Sequence, residues 1–411
     1  MTQVLRENSK AIQWMIYLAG AVLLILWLQP MIASKTPIRL VQSTVNGVFI
    51  GGIYAIIALG IVVINKASGV FNFAHGGMMM ISGYAFFAFF TSNSISIFAA
   101  VILAVTAVFM VVTTGSYRDA LKPQVLITAV VTVVVLVVLM TAQLNSSFTI
   151  GGFEITSLNW VNAVVGATTA TILVGLIIER FTIRPLIGQP IFAAVMVTLA
   201  LAEVLSGLTT LIWGTQPKSL VVFGTPNAFT GAYVRIQEKI VIPTTGLLGE
   251  DLLIDQPRLY AFLIAMLAFI GFFLFFRYTN IGLAMRATSE NQQLAESVGL
   301  RVRVILAVTW AVASVLAGIA GIMQAGSNAN STLDTNLQYV ALRAFPAVLL
   351  GGLESVGGAL IGGLVLGLTE SWAQLLFNTD VATNLAPYLV LMAVLVIRPE
   401  GFFGEKRIDR I

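Results

Sequence analysis

Runs of about twenty apolar residues recur along almost the whole of this 411-residue chain, and nothing else in the sequence limits the fold so strongly. A helix crosses the hydrocarbon of a bilayer with about 20 such residues, because every interior backbone N–H and C=O then pairs within the segment. The runs fall at about 12–32, 46–65, 73–90, 96–113, 124–143, 161–178, 190–213, 259–276, 304–323, 339–352, 356–377 and 384–397. Hydrophobic residues make up 58% of the chain and charged residues only 10%. A soluble domain carries about 25% charged residues, so no water-soluble surface can be assembled here. The sequence predicts an all-α, polytopic helical membrane protein of about 10–12 transmembrane segments, some of them short or broken.

The loops orient these segments, since short loops rich in Lys and Arg stay cytoplasmic. Arg118 and Lys122 share one loop, Arg180 and Arg184 a second, and Arg277, Arg286, Arg301 and Arg303 a third. The tail holds Arg398, Lys406, Arg407 and Arg410, and the N-terminus Arg6 and Lys10. Placing all of them on one side leaves an even number of crossings between each pair, so both termini are expected to be cytoplasmic. The polar, turn-rich stretches 145–159, 214–256 and 326–338 then lie outside. The run 339–352 is short and contains Arg343 and Pro346, so a re-entrant or broken helix competes there with a full crossing. The first run resembles a signal peptide but is flanked by Trp14 and Trp27 without a convincing cleavage site, and is expected to be a retained helix. With no cysteine in the chain, disulfides and thiolate metal sites are excluded.

Few residues in such a chain carry chemistry. The only histidine, His75, sits in "NFAHGGMMM" (72–80) beside Asn72, Gly76 and Gly77. If this stretch is helical, Asn72 and His75 share a face, while the glycines weaken the helix or admit another backbone. The residues leave two readings open: a structural histidine satisfied by a neighbouring carbonyl, or a substrate-facing group at a broken helix. Glu203 lies in mid-span within "TLALAEVLSG"; an intramembrane carboxylate marks either a functional path or a protonated interhelical contact. Glycines crowd residues 349–368, with Gly351, Gly352, Gly357, Gly358, Gly362 and Gly363 at spacings that let helices approach closely. The pair Gly47 and Gly51 reads the same way. In the long basic loop, Ser289 and Gln292 fit a capping box. Leu294, Ala295 and Val298 follow as an apolar patch, and Gly299 ends the helix. That short amphipathic helix either rests on lipid headgroups or docks a cytoplasmic partner.

Missing motifs matter as much. There is no phosphate-binding GxxxxGK[ST], no HExxH and no set of residues for nucleophilic catalysis, so the chain is not expected to be an enzyme or to hold a metal. A net charge of +4 gives no sign of nucleic-acid binding.

Eight stretches, in order, resemble the permease subunits of ABC importers for branched-chain amino acids. They are "NGVFIGGIYAIIALG" (46–60), "GVFNFAHGGMMMISGY" (69–84), "IERFTIRPLIGQP" (178–190), "MVTLALAEVL" (196–205), "GLAMRATSENQQLAESVGL" (282–300), "LAGIAGIMQ" (316–324), "VLLGGLESVGGALIGG" (348–363) and "VIRPEGFFG" (396–404). The resemblance covers roughly residues 40 to 405. It implies a permease domain over 46–404, preceded by an extra N-terminal helix and linker (1–45) and followed by a short cytoplasmic tail (405–411). The sequence departs from the family pattern in that extra helix and in an apolar insertion around 119–160.

The resemblance further implies a multi-pass protein of the bacterial inner membrane, working with a second related permease, two cytoplasmic ATPases and an external substrate-binding protein. The ATPases would hold ATP and Mg2+, and this chain no cofactor. Arg286, Ala287, Ser289, Glu290, Asn291, Leu294, Ala295 and Gly299 would form the helix that couples to an ATPase. Asn72, Phe73, His75 and Gly76, with Tyr54 and Glu203, would lie along the substrate path. Branched-chain or similar apolar amino acids lead as the solute, with urea, short amides and other amino acids as alternatives. Two readings from other classes remain: a proton-coupled secondary transporter using Glu203 and His75, and a purely structural subunit.

Overall fold

The computed structural model describes residues 26–92, 134, 148–150, 153–155, 158–186, 188–226, 233–328 and 331–404. Residues 26–33 are helical. Besides the one-turn helix Thr245–Leu248 and the short π and 3-10 segments Glu179–Ile183 and Arg184–Leu186, eleven helices follow among the described residues: α1 (Pro37–Ser68), α2 (His75–Ser92), α3 (Leu158–Ile178), α4 (Ile191–Trp213), α5 (Gln256–Tyr278), α6 (Asn280–Glu290), α7 (Gln292–Ser297), α8 (Val302–Ser327), α9 (Leu337–Gly351), α10 (Val356–Phe377) and α11 (Asp380–Ile397). Seven helices in this region are long and apolar enough to cross a membrane. The chain is thus a polytopic helical membrane protein. The spans expected at 96–113 and 124–143 lie, apart from Val134, outside the described residues.

Small antiparallel ladders link the helices. β1 (Phe148–Ile150) pairs with β2 (Phe153–Ile155), and β4 (Gly224–Pro226) with β5 (Tyr233–Arg235). β6 (Lys239–Ile242) pairs with β7 (Leu252–Asp255), Lys239 opposite Asp255. β3 (Lys218–Ser219) pairs with β8 (Thr332–Leu333), joining two loops far apart in sequence. The sequence reading expected only loops in these stretches.

Helix α1 is the axis of the bundle. From Ile53 to Ile64 it is almost wholly buried, with α10, α8, α5 and α9 around it. It begins nine residues before the expected span. Pro37 starts it, with Thr36 extended before it, a placement that loses no hydrogen bond because first-turn N–H groups have no intrahelical partner. Arg39, Gln42, Ser43, Thr44 and Asn46 occupy its first turns, which is why the apolar run understates its length. Gly69 ends it at φ 67°, its N–H bonded to the Asn65 carbonyl.

The closest seam runs between α1 and α10. A Cβ added at Gly47 would lie 2.9 Å from the Leu368 Cα, and one at Gly51 2.8 Å from the Leu364 Cα. Gly363 faces the Ala55 backbone, and Gly367 faces Gly47 and Gly51. The two glycine-rich stretches are therefore each other's partners. Seryl hydrogen bonds lock the seam: Ser43 Oγ donates to the Ser371 carbonyl (2.8 Å) and Ser371 Oγ to the Ser43 carbonyl (2.6 Å). Gly351 and Gly358 meet backbone to backbone where α9 turns into α10, and Gly362 lies on the Ala347 carbonyl. Gly352 takes φ 96° beside the Gly404 backbone. Gly357 meets nothing within 4 Å, so the expected packing role does not hold there.

One end of the bundle gathers the basic loops. Lys66 Nζ donates to the Glu354 carbonyl, and Gln292 Nε2 to the Ala67 carbonyl. Phe402 N–H bonds the Leu350 carbonyl. These contacts bring the end of α1, the α6–α7 loop, the α9–α10 turn and the residues after α11 together. At the opposite end the β6–β7 hairpin is stitched to α1, Gln42 donating to the Leu253 carbonyl (2.6 Å) and accepting from the Leu253 N–H (3.1 Å).

Helix α9 has 15 residues and Pro346 inside it, about 22 Å of rise against the roughly 30 Å of a bilayer core. It starts beside Gly76, whose added Cβ would strike the Gln338 carbonyl. It ends at Gly351 in the basic end. It is a short helix whose start lies inside the bundle.

If the glycine seam holds the core together, Gly51→Val forces α1 and α10 apart and costs about 1–3 kcal/mol or more. Gly357→Ala stays within about 1 kcal/mol of the parent. Thermal unfolding in nanodiscs separates the two, and equal melting temperatures would refute the seam's importance.

Candidate functional site

Polar side chains that apolar helices carry into the bundle are the candidates for a site, since each costs free energy unless partnered or used. The first group is the stretch before α2. Asn72 is not on a helix with His75. It precedes α2, its Oδ1 accepting from the Ala74 N–H at 3.1 Å, the side-chain mimic of a turn for which Asn is suited. The shared helical face expected for Asn72 and His75 is thus replaced by a turn with a helix start behind it. His75 is the first residue of α2 and is fully buried, its ring against Gly60 about two turns from the end of α1. Neither ring nitrogen has a hydrogen-bond partner. Phe73 stacks on Phe345 of α9, centroids 4.7 Å apart. Gly76 has no side chain because the α9 backbone occupies that space. The stretch brings Asn72, Phe73, His75 and Gly76 together as a buried knot joining α1, α2 and α9.

The second group lies nearer the opposite end. The Tyr54 hydroxyl donates to both Glu370 oxygens, at 3.0 and 2.9 Å. Both residues are buried, Tyr54 on α1 and Glu370 on α10, so the seam that brings the helices together also creates the pair. Sequence reasoning singled out Tyr54 and Glu203 but missed Glu370. The signal was present, since Glu370 is the only carboxylate in the run 356–377.

Glu370 also lines a cavity of about 380 Å³, with Arg39, Arg258, Asn46, Ile50 and Leu375 among its walls. A neighbouring cavity of about 480 Å³ shares Arg39, Gln42, Asn46 and Arg258 and opens among Arg235, Lys239, Glu250, Asp251 and Asp255. Their shared walls make them adjoining parts of one vestibule. Asp255 is engaged by Arg235 at 2.9 Å and lies 3.6 Å from Arg258. Asp251 accepts from the Thr245 hydroxyl (2.5 Å) and the Thr244 N–H (3.1 Å), and the Thr245 bond foremost holds its carboxyl below the usual carboxylate range. Arg39 has no side-chain hydrogen bond or ion pair among the described residues.

Glu203 is elsewhere. It is exposed on α4, on a face shared with Met196, Leu199, Val204, Leu208 and Leu211. It neither faces His75 nor lines the vestibule.

At the basic end, the segment expected to couple to an ATPase is two helices rather than one. Ser289 does not cap: its Oγ donates to the Arg286 carbonyl within α6. The cap of α7 is Asn291, whose Oδ1 accepts from the Leu294 N–H at 2.9 Å. Arg286 reaches back to the Phe276 and Arg277 carbonyls and lies over the Phe276 ring, fastening α6 to α5. The supposed apolar patch divides. Ala295 packs with Ala67, Val302 and Leu306, whereas Leu294 and Val298 are 62% and 71% exposed. Ala287 and Glu290 are exposed too. Gly299 takes φ 87° after the helix, the left-handed conformation expected of it.

Comparison with known proteins agrees with this architecture. The model of a family described as "Branched-chain amino acid transport system / permease component" matches residues 124–397. The chain is similar to the high-affinity branched-chain amino acid transport system permease LivH of Escherichia coli K12, 24% identical over 379 residues, covering 92% of this chain and 100% of the relative. It is also similar to the corresponding permease BraD of Pseudomonas aeruginosa, 23% identical over 374 residues, covering 90% and 97%. The galactofuranose transporter permease YtfT of Escherichia coli is 24% identical over 265 residues, covering 62% and 74%. No solved structure matches.

The Tyr54–Glu370 pair has a measurable energetic consequence. Tyr54→Phe leaves a buried carboxylate without its donor and destabilises by about 1–3 kcal/mol. Adding Glu370→Leu to Tyr54→Phe recovers much of that loss, because the unpartnered acceptor is gone. A double-mutant cycle by thermal unfolding checks it; additive effects would mean the pair does not interact.

Proposed function

This chain belongs to the branched-chain amino acid transport permease family, and on that premise we propose that it is the membrane-spanning subunit of an ATP-driven importer. It takes branched-chain or similar apolar amino acids from an external binding protein and passes them between itself and a second, related permease in the bacterial inner membrane. Two ATPases at the basic end drive the cycle with ATP and Mg2+, for which this chain has no phosphate loop. The basic end is cytoplasmic under the rule that short Lys- and Arg-rich loops are retained there.

The observation that carries this reading is the α6–α7 elbow. Ala295, Met285 and Gln292 fix it to the bundle, while Leu283, Leu294 and Val298 point away from it. Apolar side chains held outward on a rigid, water-facing elbow are what a groove on a partner needs. Closure of the ATPases would push this elbow, and Ala295 would pass the motion to α1 and α8.

The proton-relay alternative lacks a route, because Glu203 and His75 occupy different faces and no hydrogen bond connects them among the described residues. Exposure of Glu203 fits a different role. A charge at the centre of a membrane helix costs roughly 3 kcal/mol or more, so this face of α4 is covered by the second permease rather than by lipid.

Leu294→Asp together with Val298→Asp leaves the fold intact and abolishes stimulation of ATP hydrolysis by loaded binding protein, with uptake falling at least tenfold. Normal coupling in reconstituted transporter would sink the docking role. Glu203→Leu inserts normally but weakens co-purification of the second permease; unchanged recovery of that subunit would refute the assignment of the α4 face.

A further inference from the structure

The vestibule above Glu370 has the chemistry of a receptor rather than of a plain water channel. The cavity lined by Glu370 holds two kinds of charge and an apolar wall together. Arg39 and Arg258 supply guanidinium groups, Glu370 a carboxylate, and Ile50 and Leu375 aliphatic surface. The volume of about 380 Å³ falls at the small end of ligand sites.

Glu370 is prepared for a cation. The Tyr54 hydroxyl meets both of its oxygens, which orients the carboxylate but fills only part of its capacity to accept, about four lone-pair sites. The residue lies on the cavity wall, so the unfilled sites are reachable from it. Arg39, without a side-chain partner among the described residues, is free to engage a carboxylate in the fork geometry that guanidinium favours. Arg258 is only loosely held, 3.6 Å from Asp255.

We propose that this cavity is a transit site for a small zwitterion with an aliphatic side chain. Its carboxylate is taken by Arg39 and Arg258, its ammonium by Glu370, and its side chain by Ile50 and Leu375. The inference deepens the permease reading above and rests on it for the direction of passage, but the binding chemistry stands on these residues. A free acid or a free amine satisfies only half of the site and leaves the other charge without a counterpart. Discrimination by paired groups of this kind exceeds what an apolar pocket achieves by shape alone.

The test uses the full chain in lipid nanodiscs and ligand-observed saturation-transfer NMR, with three probes at millimolar concentration. They are L-leucine, 4-methylpentanoate, which lacks the ammonium, and 3-methylbutylamine, which lacks the carboxylate. The expected result is saturable binding of leucine, with each half-probe at least tenfold weaker. Glu370→Gln and the double variant Arg39→Gln with Arg258→Gln, both with parental melting temperatures, lose leucine binding at least tenfold. Should Glu370→Gln fail to fold, the arginine double variant, whose side chains lie nearer the mouth, still decides the matter. Binding of a half-probe as strong as that of leucine, parental binding by folded variants, or no saturable signal would overturn the proposal. Uptake of leucine by the assembled transporter is a separate measurement. Its absence, with zwitterion binding retained, refutes ATP-driven import of leucine and supports the site.

Discussion

The contact on which the rest of this bundle depends is the backbone-to-backbone seam between α1 and α10. In lipid, two apolar helices gain nothing by hiding from solvent, so they associate through close packing and hydrogen bonds. Gly47, Gly51, Gly363 and Gly367 permit that approach, and the reciprocal Ser43–Ser371 bonds fix its register. Everything chemically distinctive sits relative to this seam. It sets Tyr54 against Glu370, and it forms one wall of the vestibule with Arg39 and Asn46. Through the turn at Gly351 and Gly358 it carries α9, whose start fills the space left by Gly76.

A second consequence concerns irregular backbone within the bundle. Asn72 and Ala74 before α2, and Leu337 and Gln338 at the start of α9, are buried against protein, the condition under which broken helices are tolerated at membrane depth. Asn72 satisfies the turn locally, whereas the His75 ring and the Gln338 Oε1 are left without partners. The polar groups of the protein are thus divided by task. The knot at 72–76 joins helices, the Tyr54–Glu370 pair faces a cavity, and the α6–α7 elbow leaves Leu294 and Val298 pointing outward.

Much of this was legible in the chain. The helices 191–213 and 356–377 follow from long, largely apolar runs, and Gly299 as a left-handed stop follows from its place after an amphipathic stretch. Other parts were not. The first turns of α1 contain Arg39, Gln42, Ser43, Thr44 and Asn46, which end the apolar run although the helix continues. Their polarity makes sense only once β7, α10 and the vestibule are seen beside them. Asn291 takes the cap that Ser289 seemed suited to, because α6 runs on through Ser289 and leaves no free N–H groups there. The vestibule also drew on residues too common to stand out singly.

By itself, the sequence determined the membrane, the helical class and the family, because the bilayer's demands on length and hydrogen bonding are local and each segment meets or fails them alone. It also determined which residues are unusual: a lone histidine, carboxylates in mid-span, glycines in pairs. Only the tertiary structure decided what those residues do. Tyr54 and Glu370 are 316 positions apart, and His75 meets Gly60 only through the turn that joins α1 to α2. Glu203 faces away from both. Which polar group is buried, paired or open depends on which helices touch and at what rotation, and that is settled by packing across the whole bundle rather than by any one stretch of chain.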